Sequence, residues 1–270
     1  MELHVKTGID ALDRKIDDTL ASASQRFGAA AVERIAKSRL TQFEDWESAD
    51  SLQRPSWLFT PGLDTRPFWE RGQCGRLERV IDALEAAGPR IAEEVRSLDP
   101  ATGTSYHHLS VTPDQVTGWK NWFFYQDHLP NDALLARVPS VRSVVESFGH
   151  EYLDRFEIHL SLLEPSAHIP PHCGGVNAKL TLHLPLAIPE GDTAIRVASS
   201  VRGWTEGRVL VFDDSYEHEA WNRTDQRRAV LLLTAYHPNL SLDEIGVIEM
   251  LEPLNVEVYR AYLQEQRPAA

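Results

Sequence analysis

Two histidines, His172 and His218, stand in sequence surroundings that suit a metal-binding site. His172 follows the rigid Pro170-Pro171 pair in PPHCGG, and His218 lies in FDDSYEHEAWN just after a strand-like segment. Imidazole nitrogen binds iron, zinc, copper and nickel, and the common iron site adds a carboxylate to two histidines. Two residues after His172, where that carboxylate usually stands, this chain has Gly174. Because the chain has 11 histidines, both could also be ordinary surface or buried histidines.

A candidate anion-binding residue, Arg228, opens the apolar segment RAVLLLTAY ten residues after His218. Arginine binds a carboxylate through two parallel hydrogen bonds, as an acidic co-substrate beside an iron site requires. If both residues belong to one barrel, we expect Arg228 on the strand adjacent to His218. A surface arginine at a strand end would explain the residue equally well.

The second half of the chain, which carries these residues, has the period of β-strands. Apolar residues alternate in FEIHLSLLEP (156–165) and KLTLHLPLAI (179–188), and TAIRVAS, GRVLVFDD and RAVLLLTAY follow. Short strands separated by Gly, Pro and Asp turns predict an all-β barrel or a double-sheet jelly roll. In segment 179–188 four leucines share one face and Lys179, Thr181 and His183 share the other, so the polar face is expected to line the barrel mouth.

The first half is predominantly helical in pattern. Apolar residues recur at helical spacing in three segments, and the third meets Gly88-Pro89, which is expected to break or kink it. The stretch 55–70 is too irregular for an element, residues 116–126 are aromatic and strand-like, and 133–148 predicts a further helix.

These patterns predict one mainly β domain with flanking helices. We expect a helical and loop buttress at 1–150, a jelly-roll core at 151–240 and a C-terminal helical segment at 241–270, all within a single catalytic domain. The helical part has no obvious core of its own, and no internal repeat is apparent.

Composition excludes several classes of partner. With 27 basic and 40 acidic residues the net charge is −13, which argues against nucleic acid or an anionic membrane as a partner. Two cysteines cannot build a disulfide framework or a four-thiolate zinc site. The start MELHVKTGID has no apolar signal core, so we expect a cytoplasmic protein.

One long motif is specific enough to indicate a family. The segments PPHCGG, LTLHLPL, EGRVLVFDDSYEHEAW and RRAVLLLTAYHP resemble the catalytic domain of aspartyl/asparaginyl β-hydroxylases over roughly 55–239. The resemblance implies a double-stranded β-helix (jelly-roll or cupin-like) core preceded by a helical region. It also implies an Fe(II)- and 2-oxoglutarate-dependent dioxygenase that uses O2.

The family pattern accounts for Gly174 at the position where a carboxylate ligand is usual. Its best-known members hold iron with two histidines and have glycine at the usual carboxylate position. The resemblance therefore implies iron ligation by His172 and His218, with a water at the vacant position. Asp214 is the candidate that holds this water.

The resemblance also implies a 2-oxoglutarate site. Arg228 matches the residue that binds the distal carboxylate, Ser161 the serine that assists it, and His183 the histidine near the iron-proximal end. Thr181 is also predicted to belong to this 2-oxoglutarate site, although better-known members of the family have arginine at its position. We hypothesise that Lys179, on the same strand face, supplies the missing positive charge to a bound carboxylate.

The implied reaction is hydroxylation of an unactivated carbon in an Asp- or Asn-like amino acid, which is free, carrier-bound or part of a peptide. Two alternatives stay open. An Fe(II)/2-oxoglutarate halogenase would use the vacant Gly174 position for halide, and a non-catalytic barrel would only bind a ligand.

Overall fold

The computed structural model describes residues 7–41, 50–99, 102–105 and 118–265. Its helices are α1 (Asp10–Phe27), α2 (Ala29–Ile35), α3 (Glu78–Val95), α4 (Asp132–Arg137), α5 (Pro139–Glu146) and α6 (Leu242–Glu265). Its strands are β1 (Arg39–Leu40), β2 (Leu58–Phe59), β3 (Phe68–Trp69), β4 (Thr104–Ser105), β5 (Trp119–Gln126), β6 (Leu129–Pro130), β7 (Leu153–Leu163), β8 (Ala167–His172), β9 (Lys179–Ala187), β10 (Thr193–Val197), β11 (Ser200–Arg202), β12 (Leu210–Phe212), β13 (His218–Asn222) and β14 (Arg228–Tyr236). Predictions that involve residues 1–6 and 116–117 lie outside the described ranges.

Two antiparallel sheets form the core, which confirms the predicted jelly-roll class. The larger sheet has the order β3-β12-β9-β14-β7-β5-β4, with β6 paired to β5, and the smaller has the order β11-β10-β13-β8. Apolar side chains from both sheets meet between them, among them Leu163 and Val230 from the larger sheet and Ile169 and Ile195 from the smaller. The space between the sheets is therefore filled at this level.

Strand β9 shows why apolar and polar residues alternate in this part of the sequence. Leu180, Leu182 and Leu184 are fully buried against the helices outside the larger sheet, whereas Thr181 and His183 face the inter-sheet space. Each buried leucine contributes about 1.5–3 kcal/mol relative to an exposed one. Because a one-residue slip would reverse both faces, this pattern fixes the register that places His183 in the cleft.

The helix predicted to break at Gly88-Pro89 is continuous, so that expectation is wrong. Helix α3 runs through Pro89 from Glu78 to Val95, and it packs on β9. A Cβ atom at Gly88 would lie 3.5 Å from Leu184 Cδ1, so the glycine lets the helix approach the sheet closely. Packing of the helix against the core stabilises a backbone that has lost one hydrogen bond at the proline.

The helices at the two ends of the chain have their own hydrophobic cluster, contrary to the expectation from the sequence. Apolar residues of α1, α2 and α6 pack together with Tyr236 and Leu240. The cluster was not apparent in the sequence because α6 comes more than 200 residues after α2. The predicted helix at 133–148 is also divided, since α4 ends at Arg137 and Pro139 begins α5.

The first 150 residues supply strands as well as helices to the barrel. Strand β5 lies beside β7, and β3 pairs with β12, so the larger sheet extends beyond the predicted 151–240 core. The single-domain interpretation stays a prediction. Among the described residues, the helices are too short or too polar to cross a membrane.

Candidate active site

A cleft of about 670 Å³, its open mouth included, lies between the two sheets. Eight of the nine site residues predicted from the sequence line this cleft, and only Lys179 does not. The eight are Ser161, His172, Gly174, Thr181, His183, Asp214, His218 and Arg228.

 Gly174 contributes only backbone, so the wall contains seven predicted side chains and one predicted glycine. The fold therefore brings together residues that are up to 67 positions apart in the sequence.

His172 and His218 form a close pair across two neighbouring strands of the smaller sheet. They are register partners on β8 and β13, and their ring centroids are 4.1 Å apart. The ladder between these strands shifts register just after His218, and such bulges re-aim side chains next to functional sites. Both imidazoles consequently point into the cleft and could hold one metal ion.

Backbone hydrogen bonds fix the orientation of both imidazole rings. His172 Nδ1 lies 2.9 Å from the carbonyl oxygen of Pro170, and His218 Nδ1 lies 2.9 Å from that of Tyr216. When Nδ1 donates its hydrogen to a carbonyl, Nε2 carries the lone pair that a metal requires. Burial, and secondarily the nearby His218, lowers the pKa of His172 to about 3, so this ring is neutral at physiological pH.

The space beside Gly174 is taken up by the carboxylate of Asp214. A Cβ atom at position 174 would lie 2.5 Å from Asp214 Cγ and 2.6 Å from both carboxylate oxygens. The backbone N–H of Gly174 also donates to the Asp214 carbonyl at 2.7 Å. The carboxylate that position 174 lacks is thus supplied by Asp214, which lies in the connection between β12 and β13.

Gly174→Ala is expected to destabilise the protein by about 1–3 kcal/mol, because the added methyl group collides with a buried carboxylate. Urea unfolding measures this loss. Gly175→Ala is a matched control, since its Cβ would meet only Trp57 Cβ at 3.8 Å. An added Asp214→Ala substitution should restore most of the loss, and equal costs at positions 174 and 175 would contradict the steric explanation.

Thr181 contacts Asp214 in this structure. Its hydroxyl donates to Asp214 Oδ2 at 3.1 Å. Burial raises the pKa of Asp214 to about 6, and the hydrogen bond from Thr181 opposes this rise. Thr181 thereby holds the carboxylate in place beside Gly174, while its predicted contact with 2-oxoglutarate stays a prediction.

Arg228 is a fully buried cation with few protein partners. Its Nη1 lies 3.4 Å from both the backbone oxygen and Oγ of Ser161, and its guanidinium carbon lies 4.7 Å above the Trp204 ring. Among the described residues its Nε has no hydrogen-bond partner, and burial lowers the pKa of the guanidinium to about 9. A buried charge without a counter-charge is costly, so this position favours an anionic ligand.

The predicted adjacency of Arg228 and His218 is wrong. Arg228 begins β14, whose neighbours are β7 and β9 in the larger sheet, whereas His218 begins β13 in the smaller sheet. The chain crosses from one sheet to the other between these strands. The two residues therefore face each other across the cleft.

His183 presents a second buried donor to the cleft. Its Nδ1 accepts a hydrogen bond from Trp204 Nε1 at 3.3 Å, so Nε2 carries the hydrogen. In the part of the chain that the structure describes, Nε2 has no hydrogen-bond partner. Burial, followed by the charge of Arg228, holds the pKa of His183 well below its usual range. The ring is neutral and suits an oxygen acceptor.

Lys179 is engaged outside the cleft, which argues against the hypothesis that it replaces the missing arginine. Its Nζ lies 2.6 Å from Asp154 Oδ2 and 2.9 Å from Glu252 Oε1. The pKa of Lys179 is raised although burial lowers it, because Asp154 and then Glu252 stabilise the ammonium. Two carboxylates thus neutralise the charge that was expected to serve a ligand.

Three residues were not assigned to the site from the sequence: Trp119 and Glu157, which line the cleft, and Trp204, which lies behind two of its lining residues. Trp204 stacks on Arg228 and donates to His183, and Trp119 Nε1 donates to Ser161 Oγ at 2.9 Å. Glu157 lies in the cleft wall on β7. The alternation of β7 offered a signal for Glu157, because 157, 159 and 161 share one face.

Comparison with known proteins defines the class to which this fold and cleft belong. The family model described as aspartyl/asparaginyl beta-hydroxylase matches residues 85–238, more than half of the chain. The chain therefore belongs to the aspartyl/asparaginyl β-hydroxylase family, as the motif resemblance implied.

Individual relatives include proteins with different names. The chain is 31% identical over 186 residues to aspartyl/asparaginyl beta-hydroxylase of Mus musculus, covering 67% of this chain and 24% of that protein. It is 30% identical over 222 residues to ornithine lipid ester-linked acyl 2-hydroxylase of Rhizobium tropici, covering 79% of this chain and 75% of that protein. The chain spans about a quarter of the length of the mouse and human β-hydroxylases.

Among solved structures, the chain resembles a prolyl hydroxylase from Trichoplax adhaerens in complex with a peptide fragment of the hypoxia inducible factor oxygen degradation domain. Sequence identity is 13%, the match covers 66% of this chain and 96% of that one, and the TM-score is 0.43. A prolyl-4-hydroxylase from Pseudomonas putida is 16% identical, with coverage of 60% and 98% and a TM-score of 0.39.

Proposed function

We propose that this chain is an Fe(II)- and 2-oxoglutarate-dependent dioxygenase that hydroxylates an unactivated carbon of an amino acid. One observation carries the proposal. A pair of oriented histidines faces a buried arginine across a single cleft, and the arginine Nε has no hydrogen-bond partner within the described ranges. Imidazole donors suit Fe(II), and the arginine suits a dicarboxylate.

The residues that would hold iron are His172 and His218. Their Nδ1 atoms are occupied by backbone carbonyl oxygens, which suits ligation through Nε2. When bound, the iron supplies the oxidising chemistry by which O2 and 2-oxoglutarate convert a C–H bond into C–OH, with succinate and CO2 as the other products. Asp214 is suited to hold a water near the position that Gly174 leaves open.

The residues that would bind 2-oxoglutarate are Arg228, Ser161 and His183. Arg228 would form an ion pair with the distal carboxylate, and the Ser161 hydroxyl, already within 2.9 Å of Trp119 Nε1, would assist it. The hydrogen on His183 Nε2 would serve an oxygen at the iron-proximal end. Each of these contacts would satisfy a polar group that is buried in the cleft.

Thr181→Arg is expected to change substrate preference about tenfold or more, because a guanidinium would enter the cleft beside Asp214. Ratios of kcat/KM for acidic and neutral amino acids measure this change. Thr181→Val removes only the hydroxyl and serves as the control. If Thr181→Arg leaves both turnover and preference unaltered, the position is only part of the scaffold.

The proposed substrate is an Asp- or Asn-like amino acid, free, carrier-bound or within a peptide. The family name supports this class, although the Rhizobium relative is named for an acyl chain of ornithine lipid. Halogenation is disfavoured, because the Asp214 carboxyl group beside Gly174 offers oxygen acceptors that suit a bound water rather than a halide. Cytoplasmic location stays a prediction.

The test combines anaerobic protein, Fe(II) and 2-oxoglutarate with a panel of free, carrier-bound and peptidyl amino acids, and then admits O2. The expected product has gained one oxygen atom by mass spectrometry, with chloride present throughout. A gain that matches chlorine would contradict hydroxylation. Failure of the whole panel to alter 2-oxoglutarate turnover would favour a barrel that only binds its ligand.

A further inference from the structure

Trp204 lies behind the cleft, in the connection between β11 and β12, and two parts of its indole contact two cleft residues. The guanidinium carbon of Arg228 lies 4.7 Å from the centre of the ring, and the indole Nε1 donates to His183 Nδ1 at 3.3 Å. Arg228 and His183 come from different strands of the larger sheet, β14 and β9. One side chain therefore joins the two residues that would bind opposite ends of 2-oxoglutarate.

The fold itself holds Trp204 in place. Its side chain is buried and belongs to the same inter-sheet cluster as Leu163 and Val230. The connection that carries it is tied to β9, because the backbone N–H of Gly207 donates to the carbonyl oxygen of Pro185 at 2.9 Å. The position of the indole is thus set by packing and by the backbone, so the indole can orient the side chains that contact it.

The contact with the ring suits Arg228 to an anionic ligand. An aromatic ring attracts the positive charge of a guanidinium but offers no oxygen acceptor that would compete with the ligand. A protein carboxylate would instead occupy the N–H groups that a dicarboxylate needs. Within the described ranges Arg228 has no carboxylate partner, and its Nη1 lies 3.4 Å from two oxygen atoms of Ser161. Trp204 thus offsets part of the cost of burying the charge and leaves the guanidinium available.

The indole N–H group determines how His183 presents its ring to the cleft. Because Nδ1 accepts this hydrogen bond, the hydrogen of the neutral ring is on Nε2. A turn of the ring by about 180° would put a carbon atom in the place of Nδ1 and leave the buried indole N–H without its acceptor, which is costly. Trp204 therefore fixes both the orientation and the tautomer of His183.

We propose that Trp204 is a positioning residue that prepares both ends of the 2-oxoglutarate site. Its ring keeps the guanidinium of Arg228 in place, and its N–H group keeps the Nε2 donor of His183 directed at the cleft. This inference rests on the proposed function and adds to it a residue that acts through its neighbours. Loss of the indole should weaken 2-oxoglutarate binding but not Fe(II) binding, because other contacts orient His172 and His218.

Two substitutions separate the N–H group of Trp204 from its ring. Trp204→Phe keeps an aromatic ring and removes the N–H donor, so the Kd of 2-oxoglutarate should rise about three- to tenfold, as expected for one hydrogen bond. Trp204→Leu removes both contacts and should raise this Kd by about ten- to hundredfold. Anaerobic isothermal titration of the Fe(II)-loaded protein measures both changes. Equilibrium dialysis measures the Fe(II) affinity, which should stay the same in both variants.

Trp221 provides the matched control, because it makes the same two kinds of contact at the protein surface. Its Nε1 donates to Asp192 Oδ1 at 2.6 Å, and the guanidinium carbon of Arg223 lies 4.9 Å from the ring centre. Trp221→Phe and Trp221→Leu should leave the Kd of 2-oxoglutarate unchanged. In a His183→Leu background, Trp204→Phe should cause no further loss, since its N–H group acts through His183.

An unaltered Kd in both Trp204 variants, equal losses in the Trp204 and Trp221 variants, additive losses with His183→Leu, or a parallel fall in Fe(II) affinity would overturn the proposal. The dioxygenase assignment would then stand, whereas no binding of 2-oxoglutarate by the unsubstituted protein would contradict that assignment itself. If the variants do not fold, NMR of the unsubstituted, Zn(II)-loaded protein with 15N-labelled tryptophan decides. The indole N–H resonance of Trp204 should move as 2-oxoglutarate is added, and a resonance that stays in place would overturn the proposal.

Discussion

His172→Ala is expected to abolish turnover and to lower Fe(II) affinity by more than about 100-fold. Loss of a residue that merely orients a metal ligand already costs 10–100-fold in affinity, and removal of one of only two protein ligands should cost more. His172 and His218 are register partners with their rings 4.1 Å apart, so one histidine alone would leave a single protein donor. Equilibrium dialysis with anaerobic Fe(II) measures the loss.

His168→Ala is the matched control for this variant. His168 lies on the same strand, β8, but its side chain is 47% exposed and pairs with Glu219 on the surface. We expect its Fe(II) affinity and turnover to equal those of the unsubstituted protein, since surface changes are usually within about 0.5 kcal/mol. Retention of activity in His172→Ala, or equal losses in both variants, would remove the basis for the metal site.

Arg228→Met is expected to abolish 2-oxoglutarate binding and, at the same time, to stabilise the ligand-free protein. The guanidinium is 1% exposed and has no carboxylate partner among the described residues, with an unpartnered Nε. Replacement of buried ionic groups by apolar residues of similar volume commonly stabilises by about 1–4 kcal/mol. A residue that binds a ligand but lowers the stability of the ligand-free protein is expected in a binding site.

Isothermal titration with 2-oxoglutarate and urea unfolding measure the two effects. The neighbouring Arg227 offers the control, because it is exposed and pairs with Glu164. Arg227→Met should keep 2-oxoglutarate affinity and lose little stability. In the unsubstituted protein 2-oxoglutarate should raise Tm, as any ligand specific for the native state does, and it should not do so in Arg228→Met. Undiminished affinity in that variant would mean that the dicarboxylate binds elsewhere.

The positions of the strands, and the side chains on each face of a strand, could be predicted from the sequence because both depend on local periodicity. In β9 the alternation of leucines with Thr181 and His183 specifies which side chains are buried under α3 and which enter the cleft. Phe156, the first apolar residue of the alternating segment 156–165, is instead 49% exposed, where the ladder between β7 and β14 is irregular. A change of register of this kind depends on the partner strand and leaves no local signal.

Contacts between residues of different strands and helices could not be predicted from their spacing in the sequence. Arg228 follows His218 by ten residues yet lies in the opposite sheet, since the chain crosses over between them. Lys179 has the right strand face for a ligand contact, but Asp154 and Glu252, distant in sequence, bind its ammonium. Helix α3 continues through Pro89 because the sheet packs against it. In each case a long-range contact overrides the local pattern.

The central claim is that the two histidines and Arg228 form one Fe(II)- and 2-oxoglutarate-dependent centre. Its most direct test is to incubate the purified protein with 2-oxoglutarate, with and without Fe(II) and O2. Mass spectrometry then measures the succinate that is formed. We expect succinate only when both are present, and none with His172→Ala or Arg228→Met. Succinate formation that is independent of Fe(II), or no consumption of 2-oxoglutarate by a folded protein that binds Fe(II), would contradict the claim.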